Sequence, residues 1–79
     1  MRLDKYLKVS RLIKRRTVAN EACDAGRVQV NGKVARASYD VKVGDRLTLA
    51  LGARELQVEV VSVQETVAKN DAALLYKVL

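Results

Sequence analysis

The sequence predicts an α+β domain in which short N-terminal helices pack on a small, mostly antiparallel sheet. Three observations predict this class. Apolar residues recur at helical spacing among the charges of the N-terminal third, an Asn-Gly dipeptide stands between alternating valines, and leucine and valine alternate with polar residues further on. We therefore expect one small domain over residues 1–79, with its C-terminal strands over residues 55–79.

The first predicted helix covers residues 2–9. Leu3 and Leu7 lie one turn apart and are expected to face inward, whereas Lys5 and Lys8 are expected to face out. Further apolar residues continue the core-facing stripe among the charges that follow. This stripe indicates an ordered segment.

The second predicted helix runs from residue 15 or 16 to residue 25. Gly26 follows at the position where a left-handed C-terminal cap belongs. We expect Cys23 to be a small core residue. Four residues are spaced for burial on this helix: Val18, Ala19, Ala22 and Cys23.

Residues 28–34 predict a β-hairpin. Valines alternate with polar residues on both sides of Asn31 and Gly32. Asn-Gly is the dipeptide that tolerates the positive φ angles of a type I′ turn, so two antiparallel strands should meet there.

The second half of the chain predicts three further strands joined by turns. Leucine alternates with other residues in the first, and valine is frequent in the second, as half-buried strands require. In chain order the predicted segments are a turn at 43–45, a strand at 46–51, a turn at 52–53, a strand at 55–63, a loop or helical turn at 64–71 and a closing strand at 74–79.

Basic charge is concentrated at the N-terminus. Residues 1–16 hold seven basic residues and one acid, whereas residues 17–79 hold eight of each sign, so the net charge of +6 lies in the first fifth of the chain. A cationic face of this kind favours a polyanionic partner. The alternative is a solvated helix face or a flexible basic arm, although an arm would not need the apolar stripe.

Composition excludes several classes of function. The chain has no His and a single cysteine, which rules out a Cys/His zinc site, an internal disulfide and a His-based nucleophilic relay. Its longest uncharged stretch, residues 47–53, is far shorter than the roughly 20 residues of a membrane span. We expect no catalytic residue, no cofactor and no metal, and, without a recognisable signal peptide, a cytoplasmic location.

The three aromatic residues, Tyr6, Tyr39 and Tyr76, are scattered along the chain. A platform that stacks successive unpaired bases is therefore not expected, and readout of RNA shape and backbone fits better. Helical spacing favours a core position for Tyr6, while Tyr39 lies in a loop where either a core or a contact role is open.

Several motifs follow one another in order over residues 2–51. An opening helix begins Arg-Leu-Asp at 2–4, Ala-Gly-Arg-Val-Gln-Val-Asn-Gly-Lys-Val covers 25–34, and Val-Gly-Asp covers 43–45. This combination resembles the RNA-binding domain named after ribosomal protein S-four, also described as an alpha-L type motif. With residues 8–17 included, the chain resembles the short stand-alone members that act in ribosome-associated quality control, which are related to a small ribosome-associated heat-shock protein.

The resemblance implies a non-enzymatic factor that acts on the stalled, split large ribosomal subunit. Its implied partners are large-subunit ribosomal RNA, peptidyl-tRNA and the factor that adds an alanine tail to the nascent chain. We expect it to be a monomer and to have no membrane partner. Two alternatives stay open at this point. One is the RNA-binding portion of an enzyme that modifies ribosomal or transfer RNA, and the other is a basic module for binding proteins or membrane surfaces.

Nine basic residues are predicted to contact RNA. Arg2 and Arg16 come first, because they flank the two-helix surface and match positions that the resemblance marks. Asp4 is interpreted as a helix N-terminal charge or as an orienter of arginines, and the alternative for any one arginine is a structural ion pair with a nearby acid. The full set is Arg2, Lys5, Lys8, Arg11, Lys14, Arg15, Arg16, Lys33 and Arg36.

Overall fold

The computed structural model describes residues 1–65 and 67–79, and its architecture confirms the predicted α+β class. Two short helices cover one face of a five-stranded sheet with the order β2-β1-β3-β4-β5, in which every neighbouring pair is antiparallel. In chain order the elements are α1 (Leu3–Val9), α2 (Arg16–Asp24), β1 (Val28–Val30), β2 (Lys33–Val34), β3 (Arg46–Leu51), β4 (Arg54–Val60), a 3₁₀ helix (Lys69–Leu75) and β5 (Tyr76–Val78).

The hydrophobic core lies between the helices and one face of the sheet. Alternate strand residues are buried, as a sheet covered on one side requires, and cross-strand partners such as Leu47 and Val58 share the buried face. Burial raises the pKa of the Cys23 thiol to about 11, so this side chain is a neutral core residue as predicted. The helices contribute Leu3, Tyr6, Leu7, Ala19 and Cys23, and the sheet contributes Val28, Val30, Leu47, Leu49, Val58 and Val60.

The predicted hairpin turn is confirmed at Asn31 and Gly32, whose φ angles are +52° and +84°. The Asn31 side chain also accepts a hydrogen bond from the Arg46 backbone N–H at 3.0 Å and donates one to Asp45 Oδ1 at 3.1 Å. The turn is therefore tied to the start of β3 by its own side chain.

Asp45 joins this turn to the preceding loop. Its Oδ2 accepts hydrogen bonds from the Tyr39 hydroxyl and from the Lys42 backbone N–H, both at 3.0 Å. The hydrogen bond to Asp45 raises the pKa of Tyr39. The Tyr39 hydroxyl is thus engaged in holding the loop before β3.

The prediction that Val18 is buried is wrong, since its side chain is 47% exposed. Helix α2 buries Ala19 and Cys23, which are four residues apart and share one face. Val18 is rotated by about 100° from Ala19 around the helix and lies outside that narrow contact. Gly26, in contrast, follows the helix at φ +75°, as the C-terminal cap prediction requires.

The predicted bounds of the last two strands are also corrected. Strand β4 ends at Val60 rather than at residue 63, and β5 begins at Tyr76 rather than at residue 74. Residues 74 and 75 instead complete the 3₁₀ helix, where the three-residue repeat buries Ala72 and Leu75 and leaves Leu74 exposed. The predicted helical turn within 64–71 thus begins at residue 69, and Thr66 of that segment lies outside the described residues.

Tyr6 connects α1 to the C-terminal part of the fold. Its side chain is fully buried, as predicted, and its hydroxyl donates a hydrogen bond to the Leu75 carbonyl at 2.7 Å. Burial raises the pKa of this hydroxyl, which stays protonated and able to donate.

We expect Tyr6→Phe to lower the free energy of unfolding by about 0.5–1.5 kcal/mol, because it removes one buried hydrogen bond from a carbonyl that keeps two backbone donors, the N–H groups of Val61 and Ser62. Urea denaturation monitored by circular dichroism measures the change. Tyr76→Phe is the matched control, since the Tyr76 hydroxyl makes no hydrogen bond to the described residues, and its effect should stay below about 0.5 kcal/mol. Equal effects of the two substitutions would contradict the role given to the Tyr6 hydroxyl.

Candidate nucleic-acid interface

A buried carboxylate lies at the centre of the candidate site. Asp4 stands in the first turn of α1 and is only 2% exposed. Its Oδ1 accepts the Lys5 backbone N–H at 2.8 Å, and its Oδ2 accepts a hydrogen bond from Asn20 Nδ2 of α2 at 3.2 Å. Asp4 therefore connects the two helices from within.

Two arginines contact this carboxylate, one that precedes it in the sequence and one that follows it. Arg2 Nε lies 3.2 Å from Asp4 Oδ1 and Arg2 Nη2 lies 3.4 Å from Oδ2, while Arg16 Nε lies 3.4 Å from Oδ2. The two arginine side chains are 50% and 48% exposed. Because a guanidinium carries five N–H donors, each arginine keeps donors free to face outward.

The electrostatics of Asp4 keep it ionised. Burial raises its pKa, but hydrogen bonds from Arg2, from Asn20 and from the Lys5 backbone, with Arg16 beside them, lower it by more, and the net pKa falls below the usual 3.8. The carboxylate thus holds two guanidiniums in place as a charged group. The geometry agrees with both interpretations of Asp4 from the sequence, since the carboxylate lies in the first turn of α1, accepts a backbone N–H there, and also orients the two arginines.

We expect this carboxylate to contribute stability that depends on pH. A carboxyl with a lowered folded-state pKa contributes fully above its unfolded pKa of 3.8, and the contribution is lost as the pH falls through the folded pKa. Urea denaturation from pH 6 down to about pH 2 should show a falling free energy of unfolding, and Asp4→Asn should flatten that dependence.

Asp40 provides the control for this pH series. The N-terminal amino group, 2.7 Å away, lowers its pKa too, but Asp40 is exposed. Asp40→Asn should therefore leave most of the acid dependence in place. If Asp4→Asn kept the acid dependence of the native protein, the assignment of the charged state to Asp4 would be wrong.

A second group of basic residues lies next to the first along α1. Lys8 is one helical turn beyond Asp4, an axial distance of about 6 Å. On the same side, Lys5 Nζ lies 3.8 Å from Glu65 Oε1. The cleft here is lined by Lys8, Val9, Arg11, Lys14, Glu65 and Val67.

The remaining predicted contacts belong to neither the carboxylate pair nor the lining of this cleft. Arg15 is exposed and immediately precedes α2 in an extended conformation. Lys33 and Arg36 line a groove beside β2, together with Tyr39. The structure therefore brings together Arg2 with Arg16 and, separately, Lys8 with Arg11 and Lys14, while RNA contact by any of the nine residues stays a prediction.

Two residues of this surface were missed from the sequence. Asn20 reaches Asp4 across 16 positions, and Glu65 reaches Lys5 across 60. Neither spacing leaves a local signal, because both contacts depend on how distant elements pack. The sequence contains one signal for Asn20. It is a polar residue next to the small apolar residues with which α2 packs.

A family model described as the S4 domain matches residues 1–47. The chain belongs to the S4 domain family. The matched S4 domain begins before α1 and ends within β3, so it contains Asp4 and all nine basic residues predicted to contact RNA.

Two relatives of this S4 domain protein are similar to it over nearly the whole chain. A protein of Halalkalibacterium halodurans named RQC P-site tRNA stabilizing factor is 56% identical over 78 residues, which cover 99% of this chain and 89% of the relative. The Bacillus subtilis protein of the same name is 53% identical over 79 residues, covering 100% of this chain and 92% of the relative.

A solved structure shares the fold. Heat Shock Protein 15 of Vibrio cholerae, described as trimeric, superposes with a TM-score of 0.93 at 30% identity, covering 100% of this chain and 81% of that one. The S4-type α+β fold expected from the sequence is thereby confirmed. Among the described residues, no helix is long and apolar enough to span a membrane.

Proposed function

We propose that this protein is a non-enzymatic RNA-binding factor of ribosome-associated quality control. It binds ribosomal RNA and peptidyl-tRNA on the stalled, split large ribosomal subunit, in the cytoplasm, and supports the alanine tailing of the nascent chain by a partner factor. It acts by binding and holding RNA, and it makes and breaks no covalent bond.

The observation that carries the proposal is the pair of half-exposed guanidiniums held by one buried carboxylate. Arg2 precedes α1 and Arg16 begins α2, yet Asp4 fixes both at the surface. Arginine donors placed in this way suit the oxygens of a phosphate, which they can grip in a bidentate manner. The names of the relatives from Halalkalibacterium halodurans and Bacillus subtilis support tRNA as the RNA that is held.

The distribution of charge supports binding to RNA rather than to a protein of mixed charge. The basic excess of the chain lies within residues 1–16, on and beside α1 and α2. The uncovered face of the sheet carries opposite charges that compensate one another, as in the pair of Arg46 with Glu59 at 3.7 Å. A polyanion is therefore attracted to the helical side of the molecule.

Crosslinking in cells, followed by sequencing of the attached RNA and by sedimentation, tests the proposal. We expect crosslinks to large-subunit ribosomal RNA and to tRNA, and sedimentation with free large subunits. A variant carrying Arg2→Ala and Arg16→Ala, checked for folding by circular dichroism, should lose both signals. Recovery mainly with messenger RNA, or with whole ribosomes, would contradict the proposal.

A further inference from the structure

The second cleft on the helical side is lined by basic side chains that differ from Arg2 and Arg16 in their ion pairing. Lys8, Arg11 and Lys14 line it, and none of the three forms an ion pair with an acid in residues 1–65 or 67–79. Arg2 and Arg16, in contrast, share a carboxylate. The three cations thus line one cleft without an ion pair to any of these acids.

We propose that this cleft is a second phosphate-binding site for RNA, separate from the Arg2 and Arg16 pair. The inference rests on the proposed function and extends it, because the protein would then bind RNA at two places along α1. The site already described needs Asp4 for its geometry. The cleft is built without Asp4 and shares no lining residue with the hollow that contains Asp4 and Arg16.

The backbone of Arg11 is the second observation that points to this site. Helix α1 ends at Val9, and Arg11 follows at φ +62°, in the left-handed region where glycine or asparagine is usual. Its N–H donates to the Lys8 carbonyl at 3.0 Å, which closes the helix. A residue with a Cβ is unfavourable in this conformation, so glycine would stabilise the fold more at this position. The chain nevertheless has an arginine here, and its side chain lines the cleft.

RNA suits this cleft better than an acidic peptide does. Lys8 lies one turn beyond Asp4 on α1, so a sugar-phosphate backbone held by Arg2 and Arg16 can continue along the helix into the cleft. The side chains available are long cations, with two half-buried valines, Val9 and Val67, at the wall. They provide point charges for phosphates rather than backbone donors for a peptide strand.

Glu65 is the one acid in the lining of the cleft, and it faces the same cations. Its Oε1 lies 3.8 Å from Lys5 Nζ. A phosphate that enters the cleft must approach this carboxylate, which repels it. Glu65→Gln should therefore tighten binding to RNA by a few-fold, whereas Glu55→Gln, an exposed acid on β4, should leave it within a factor of about two.

Fluorescence anisotropy with labelled purified total tRNA, measured between 50 and 200 mM salt, tests the second site. The variant with glutamine at positions 8, 11 and 14 should bind more weakly. Its slope of log affinity against log salt should be shallower by about 1–2, since each phosphate that is no longer neutralised reduces the slope by about 0.9. The matched control replaces three basic residues of the sheet, Arg46, Arg54 and Lys77, with glutamine and makes the same change in net charge.

Arg11→Gly separates a binding role from a structural one. Glycine suits the left-handed backbone, so the melting temperature should stay the same or rise, while affinity for tRNA falls about tenfold, the loss expected for one charge-assisted hydrogen bond. A melting temperature that fell together with affinity would assign Arg11 a structural role and overturn its part in the site.

The outcomes distinguish this inference from the proposed function. If the native protein does not bind tRNA, the proposed function fails and the cleft loses its ligand. If the native protein binds, the Arg2 and Arg16 variant weakens, and the cleft variant behaves like the sheet control, then only the second site is overturned. A cleft that binds an acidic peptide instead would give this last result.

Discussion

Replacing Arg2 and Arg16 together with alanine should lower the affinity for RNA by about 100-fold or more. Charge-assisted hydrogen bonds contribute about 1.5–3 kcal/mol each, and 1.4 kcal/mol corresponds to a factor of ten in affinity. The two guanidiniums are half exposed on one carboxylate, where a phosphate can reach both. Anisotropy or filter binding with tRNA measures the loss at fixed salt.

The matched control for this pair replaces Arg46 and Arg54 of the sheet with alanine. Arg46 is also paired with a carboxylate, at 3.7 Å, so the control removes two positive charges and disturbs one ion pair. Its affinity should fall only slightly, through the change in net charge. A variant with lysine at positions 2 and 16 should recover part of the loss, since lysine restores charge but lacks the planar fork of arginine. Equal losses for the two alanine pairs would contradict a localised site.

Asp4→Asn should weaken RNA binding by about tenfold although it makes the protein more positive. The substitution raises the net charge from +6 by one unit, which on simple electrostatics strengthens binding to a polyanion. The neutral amide, however, no longer holds Arg2 and Arg16 by charge. Its NH₂ group cannot accept the hydrogen bonds that the carboxylate oxygen accepted and instead faces other N–H donors. The two guanidiniums must then be ordered by the RNA itself, which reduces affinity.

The same substitution should lower the free energy of unfolding by about 2 kcal/mol, because charged hydrogen bonds at a buried group are removed. Asp24→Asn, which removes an exposed acid from the end of α2, is the control for charge. It should leave stability unchanged and affinity equal or slightly higher. Tighter binding by Asp4→Asn would show that Asp4 is only a repulsive charge and positions nothing.

The elements that could be predicted from the sequence are those fixed by local chemistry. Asn31 and Gly32 predicted their turn because few other dipeptides tolerate two positive φ angles. Gly26 predicted the end of α2 for the same reason. Alternation of apolar residues predicted β3 correctly, since one face of that strand is buried and the other is not.

The features that the sequence did not reveal depend on packing between distant elements. Val18 and Ala19 are both acceptable core residues, and only the close approach of α2 to α1 decides that the smaller one is buried. The burial of Asp4 depends on Asn20 and Arg16, which reach it from another helix. The sequence did not predict the positive φ angle of Arg11, because arginine has no preference for the left-handed conformation.

The candidate site shows the same division. Charge counting located the basic segment, and the family resemblance ranked Arg2 and Arg16 first, but the other basic residues of the segment were not told apart. Among the described residues, the structure separates a pair held by Asp4 from a cleft whose three cations form no ion pair, and this distinction requires the positions of the side chains. The sequence therefore predicted the candidate surface and its leading pair, and the structure added the carboxylate contacts of that pair and the separate cleft.

The salt dependence of RNA binding by the native protein tests whether its N-terminal cations bind RNA phosphates. If about five phosphates are neutralised, log affinity should fall with log salt at a slope of roughly −3.5 to −4.5, and affinity should drop by about two to three decades from 50 to 200 mM. The variant with alanine at positions 2 and 16 should show a shallower slope, by about 1–2. A native slope near zero would show that phosphate contacts do not drive binding, and the same steep slope in both proteins would show that Arg2 and Arg16 are not among those contacts.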